Sequence, residues 1–150
     1  MNIRRIAFLT IMAAASGTIS CSWSAEQQNI LNSYNETTAL IRENEWESAT
    51  SQMTHSTKVF LDSLATELQN SGLQGYRSGA ELLPVLCDEY IDFAGDVTMI
   101  FVQGDRAEIT LSTAESNRYQ LIREEGCWKL DLSGIFRDRL DTAFMGSYVW

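Results

Sequence analysis

Between Val97 and Leu132 apolar and polar residues alternate along the chain. Ala107, Ile109 and Leu111 take every second place, as do Trp128, Leu130 and Leu132, while Arg106, Glu108, Thr110, Lys129 and Asp131 occupy the positions between. A period of two marks strands with one buried face, so the stretch predicts a four-stranded antiparallel meander. Gln103-Gly104-Asp105 and Glu124-Glu125-Gly126 fall where tight hairpin turns belong, glycine supplying the backbone freedom such reversals need. A sheet with one greasy face requires a cover, and only the preceding chain is long enough to provide it.

That preceding chain carries the spacing of three and four that defines amphipathic helices. Ile30, Leu31, Tyr34, Thr38 and Ile41 form one stripe, and Trp46, Ala49 and Met53 another. Glu43-Asn44-Glu45 between them contains no glycine or proline, which leaves open whether the helix breaks there. Phe60, Leu61, Leu64 and Leu68 form a third stripe that ends at Asn70-Ser71-Gly72. The segment Gly72 to Gly79 reads as a loop, with Tyr76 the candidate for a short edge strand. Ser78-Gly79-Ala80-Glu81 has capping-box spacing before Leu82, Leu83, Leu86, Tyr90 and Phe93. Pro84 favours a helix that starts near Leu83 over one that starts at Gly79 and bends. Ser133 is positioned to cap a last helix bearing Ile135, Phe136, Leu140 and Phe144, with Gly146 past its end and an aromatic tail to Trp150 expected to pack back on the domain. The fold class is therefore α+β: N-terminal helices on a C-terminal four-stranded antiparallel meander, with an extra C-terminal helix.

The first twenty residues are of another kind. Arg4 and Arg5 precede the apolar run Ile6 to Ala15, and small residues lead to Cys21, the pattern of a secretory leader. Its apolar core is about ten residues, short of the roughly twenty that span a bilayer. The division expected is a leader at 1–20, a tether at 21–28 and a single domain at 29–150, a comfortable size for one core. Thr18-Ile19-Ser20-Cys21 resembles a bacterial lipobox, which implies a lipid on Cys21, with Thr18 standing where the motif usually has leucine. Ordinary cleavage near Ser20 or Ser24 is the alternative. By the same resemblance Ser22 implies the outer membrane of a two-membrane bacterium, and otherwise the product is a soluble periplasmic or secreted protein.

If Cys21 carries lipid, Cys87 and Cys127 remain as a candidate disulfide, closing forty residues and stabilising the fold by about 4 kcal/mol. Against it stands strict alternation, which turns Cys127 away from Trp128 and from the helix layer holding Cys87; two free thiols are the other reading. Removing Arg4 and Arg5 leaves nine basic against twenty acidic residues, a net charge of −11, and Lys58 and Lys129 are the only lysines. Nucleic acid and anionic headgroups are thereby excluded as expected partners, since their binding needs clustered cations. Membrane contact is expected only through a lipid on Cys21.

The order of helices and meander, the closing run Glu125-Gly126-Cys127-Trp128-Lys129-Leu130 and the acidic-aromatic link Glu43-Asn44-Glu45-Trp46 together resemble the nuclear-transport-factor-two-like superfamily, above all its small secreted bacterial lipoproteins. The resemblance spans about Glu26 to Leu132. It departs from that pattern in reducing one strand to the Tyr76 region and in adding the helix after Ser133. It implies a cone between sheet and helices that relatives use as isomerases, cyclases, dehydratases or binding modules, and fold alone does not choose among these.

The residues themselves offer little chemistry. His55 is the sole histidine and sits in a polar stretch suited to a cap or turn. Isomerase-type use of the cone needs a buried carboxylate facing a tyrosine, for which Asp92 with Tyr90, Tyr34 or Tyr119 are the suppliers. Glu81, Asp88 and Asp92 share a helical face but lack the glycine turn of a calcium loop, so no metal is expected, and no motif demands a cofactor. The expectation is a non-catalytic binding domain holding a small apolar ligand or peptide among Tyr34, Phe60, Leu64 and Trp128. The alternative is a module for an unidentified protein partner, with an apolar patch around Phe144, Tyr148 and Trp150.

Overall fold

The computed structural model describes residues 22–72, 75–113 and 118–146, with side chains as far as 141. The leader, Cys21, the side chain of Phe144, and Tyr148 and Trp150 lie outside the described residues. Five helices and four strands follow in the order α1 (Ala25–Arg42), α2 (Trp46–Ser51), α3 (His55–Asn70), α4 (Gly79–Tyr90), β1 (Val97–Gln103), β2 (Arg106–Leu111), β3 (Arg118–Glu124), β4 (Cys127–Asp131) and α5 (Ser133–Gly146).

The sheet is the antiparallel meander that the alternation predicts, with spatial order β1-β2-β3-β4. Val102 faces Ala107 and Ile100 faces Ile109; Leu121 stands between Ala107 on one side and Leu130 on the other. These residues line one face, all of them buried except Val102 at the edge strand, which is half-buried. Positive φ falls on Gly104 in the first turn and on both Glu125 and Gly126 in the last, the geometry that lets two-residue loops follow the strand twist. Helix α1 covers the apolar face, packing on β4 and β1, while α2 and α3 meet α4 beside it. Ile30, Leu61, Leu83, Leu121, Leu130, Leu132 and Phe136 have no accessible surface at all.

Several boundaries differ from the sequence expectation, each for a visible reason. Helix α1 begins at Ala25, inside the expected tether, because Ser24 and Gln27 form a reciprocal capping box. The chain does break at Asn44, whose φ of +61° does what a glycine would. The Glu45 amide donates to Leu40 O at 2.9 Å and the Asn44 amide to Ile41 O at 3.1 Å, a Schellman closure of α1. Helix α4 starts at Gly79 and carries Pro84 internally, rather than starting near Leu83. Ser78 makes no side-chain cap; the Gly79 amide donates instead to Asp62 Oδ1 of α3 at 3.0 Å, while Glu81 accepts from the Arg77 amide. Tyr76 joins no strand and packs half-buried against the core.

Cys87 and Cys127 are free, not bridged. Cys87 is buried on α4, whereas Cys127 opens β4 on the face opposite Trp128 and is exposed, so strict alternation holds at the strand start.

The edge of β4 is closed by α3 and α5. Met53 bridges Leu130 and the Thr54 amide donates to Leu130 O at 3.0 Å. Beyond it, Asp131 Oδ1 accepts from the Thr54 and Thr57 hydroxyls at 3.2 and 3.0 Å, and from the Ser133 amide and hydroxyl at 3.1 and 2.7 Å. Ser133 thus leans on Asp131 instead of capping α5 itself. Thr54 and Thr57 are fully buried, so the carboxylate satisfies hydroxyls that water cannot reach.

Two substitutions test this construction. Asp131→Ala should lower stability to urea by about 3 kcal/mol, by stranding Thr54 and Thr57, and Asp131→Asn by about 1 kcal/mol, since an acceptor remains. Gly79→Ala should cost about 2 kcal/mol, because the new methyl would lie 2.6 Å from Leu61 Cβ and 2.8 Å from the Asp62 amide. An unchanged urea midpoint in either would refute the assignment.

Candidate functional site

Where α1 ends, the chain must turn without proline or glycine, and Asn44 accomplishes this in the left-handed conformation. The turn aims Trp46, the first residue of α2, back toward the last turns of α4. Helix α4 ends at Tyr90 because Ile91 is extended, with φ −119° and ψ 130°. The strand-like segment that follows is pinned to α1 by Arg42, whose Nη2 donates to Phe93 O at 3.1 Å.

The result is a cleft of about 610 Å³ open to solvent. Its apolar lining is Ile41, Trp46, Pro84, Val85, Ile91 and Phe93, with Val85 half exposed at 50 %. Asn44, Asp88 and Glu89 complete the lining, and Glu43 and Glu45 flank Asn44, both exposed. Among the described residues no salt bridge engages Glu43, Glu45, Asp88 or Glu89. Cys87 lies at the base; burial pushes its thiol up to about 12, so it remains protonated and unreactive in the folded protein.

Behind Phe93 is an aromatic cluster. The Phe93 and Tyr119 rings lie 5.0 Å apart, and Tyr34 meets Phe93 edge-on at 6.2 Å. Tyr119 donates its hydroxyl to the backbone carbonyl of Asp92 at 2.6 Å, and burial pushes its ionisation up to about 12. The Tyr34 hydroxyl is raised further, first by burial and then by Tyr119 beside it, and has no hydrogen-bond partner among the described residues. The Asp92 carboxylate accepts from the Ala94 amide at 2.8 Å on an exposed residue. It is therefore not the buried carboxylate facing a tyrosine that isomerase chemistry needs.

The four residues expected to line one pocket are placed in separate packing groups. Tyr34 belongs to the cluster just described. Phe60 stacks on Phe136 of α5 at 6.2 Å, under the Arg137 guanidinium, and Leu64 lies half-buried on the same helix. Trp128 is covered by Arg123, 4.5 Å above its ring, while its carbonyl accepts from the Ser33 hydroxyl. Between them Ile30, Ile109, Leu121 and Leu130 show zero accessible surface, so no water-sized void opens against these side chains. Among the described residues Tyr34, Phe60 and Trp128 thus pack against different partners. Trp128 instead borders a second open cleft of about 620 Å³ with a polar lining that includes Glu26, Asn29, Asn32 and Glu36.

His55 is exposed and acts through its backbone, donating to both oxygens of Glu124 at 3.0 and 3.1 Å. Among the described residues no group of three His, Cys, Asp or Glu side chains is arranged to hold a metal ion. No helix among them is long and apolar enough to cross a membrane.

The α1–α4 cleft was not anticipated. Its one local signal is Glu43-Asn44-Glu45-Trp46, and nothing in the spacing joins that link to Phe93, fifty-one residues from the Arg42 that holds it. The class is established as mixed helix and antiparallel meander. No protein-family model, no curated protein and no solved structure matches this chain.

Thiol chemistry and pH report on the site. A thiol reagent should modify Cys127 rapidly in the folded protein and Cys87 only after unfolding; equal rates would refute the burial of Cys87. The unfolded chain releases the Cys87 and Tyr119 protons near their ordinary values of 9.0 and 10.0, the folded chain only near about 12. Stability from these groups is thus full below pH about 8 and falls as pH rises toward about 12. The urea midpoint should drop between pH about 8 and about 10.5, and less so in Cys87→Ala.

Proposed function

We propose that this chain is an exported, non-catalytic binding domain, held at the outer membrane by a lipid on Cys21, and that its α1–α4 cleft seats an apolar side chain of a basic partner protein. The observation that carries the reading is the pairing of an apolar floor with a rim of unpaired carboxylates. A floor of Ile41, Trp46, Val85, Ile91 and Phe93 excludes water from an inserted side chain, which is where interface energy concentrates. Asp88 and Glu89 line the cleft, Glu43 and Glu45 flank its Asn44, and the nearby Arg42 guanidinium is engaged with Phe93 O. Lysine or arginine beside the inserted side chain would neutralise this rim and steer the approach.

The zero exposure of Ile30, Ile109, Leu121 and Leu130 under the sheet supports this partner-binding reading over a small apolar ligand held there. The chain's net charge of −9 is directed to the same end, since an acidic surface attracts cationic partners from a distance.

A short peptide with a leucine-leucine centre flanked by lysines is a sufficient probe, followed by chemical-shift changes on titration. Shifts should gather at Trp46, Val85, Ile91 and Phe93 and weaken with added salt. Val85→Asp should weaken binding roughly tenfold, about 1.4 kcal/mol, and a glutamate-flanked peptide should not bind. Shifts scattered over the surface, or binding indifferent to Val85→Asp, would overturn the reading.

A further inference from the structure

We infer that the solvent-facing side of β1, around Met99 and Phe101, rests on the lipid surface to which Cys21 is attached, so that the acid-rimmed cleft points away from the bilayer. The inference rests on the lipid proposed for Cys21.

Phe101 and Met99 are 57 % and 47 % exposed, neighbours on one face of an edge strand that carries no charged residue from Val97 to Gln103. An exposed edge ordinarily invites another strand. Here that use is obstructed: Gln27 Nε2 donates to Ile100 O at 2.9 Å, and a register shift between Val97 and Met99 interrupts the ladder. What remains available is the side-chain face, which suits an apolar surface better than a pairing backbone.

The anchor is at the same end of the molecule. Helix α1 runs antiparallel to β1: its first turn touches Ile100 through Gln27, and its last turn reaches Phe93, ahead of the strand, through Arg42. Ser22 and Trp23 alone separate Cys21 from the cap residue Ser24, a reach of at most about 11 Å. A lipid on Cys21 therefore holds the N-terminus of α1, and Phe101 beside it, close to the membrane. The helix layer lies on the other face of the sheet, so with the outer face of β1 on lipid the α1–α4 cleft is held on the side away from the bilayer.

Charge differs between the two faces. On the outer face of the sheet Glu108 is paired with Arg118 at 3.2 Å and Glu124 with Lys129 at 3.8 Å, while the exposed turn residue Glu125 forms no salt bridge among the described residues. Around the cleft none of Glu43, Glu45, Asp88 and Glu89 is paired among the described residues. Bringing unpaired carboxylates against lipid costs their hydration, so the orientation with β1 toward the bilayer is the favourable one.

The test uses the full chain purified from membranes and reconstituted in phosphatidylcholine vesicles. Cys127→Ser removes the exposed thiol, and a nitroxide is placed through Met99→Cys in one sample and Val85→Cys in another. Collision with oxygen relative to a water-soluble nickel chelate should be several-fold higher at 99 than at 85, and equal at the two sites without vesicles. The mass of the N-terminal peptide reports the lipid separately. A lipid-bearing chain whose position 99 is as open to nickel as position 85 overturns the contact and leaves the anchor standing. A chain without the lipid mass overturns the anchor, and the contact with it unless position 99 is still sheltered by vesicles.

Discussion

One carboxylate oxygen, Asp131 Oδ1, ties two helix starts to the last strand. It accepts from Thr54 and Thr57 at the head of α3 and from Ser133 at the head of α5, and Thr57 in turn accepts the Leu132 amide at 2.9 Å. Both helices begin beside it, and its charge is held by three hydroxyls and the Ser133 amide. The edge of β4 is sealed as a result, and α3 is placed where Leu61 and Phe60 meet Leu83 and Phe136. This closure completes at the β4 edge the cover that α1 lays over β4 and β1.

The same economy of connection produces the cleft. Because α1 stops abruptly at Asn44, and α4 stops when Ile91 extends, two helix ends are left side by side with their apolar residues incompletely covered. Arg42 holds Phe93 at the floor, and the acids surrounding the opening repel one another more than they are compensated. Such an arrangement stores no stability. Its retention beside a well-sealed core is what makes it a candidate for contact with something else.

Much of the fold was legible in the chain, and the reasons divide cleanly. Period two located the strands and glycine the turns, because both signals are local. The boundaries left open or misplaced depend on side chains acting in unusual roles: Asn44 replaced a glycine, Gln27 completed a cap earlier than the apolar stripe begins, and Asp62 of another helix supplied the acceptor that lets α4 start before Pro84. The partners of the four expected pocket residues were not legible either: Phe136 of α5 stacks on Phe60, Tyr34 meets Phe93 and Tyr119, and Arg123 covers Trp128. The cleft was illegible because its two walls are joined by long-range contacts alone.

The wiring of Asp131 also sets an order of events. Each strand of the meander pairs with its immediate successor, so the sheet assembles from short hairpins whose loops close cheaply. The bonds from Asp131 to Thr54 and Thr57 bridge seventy-seven and seventy-four residues, and their acceptor exists in place only once β4 has formed. These bonds therefore complete only after chain segments more than seventy residues apart have met.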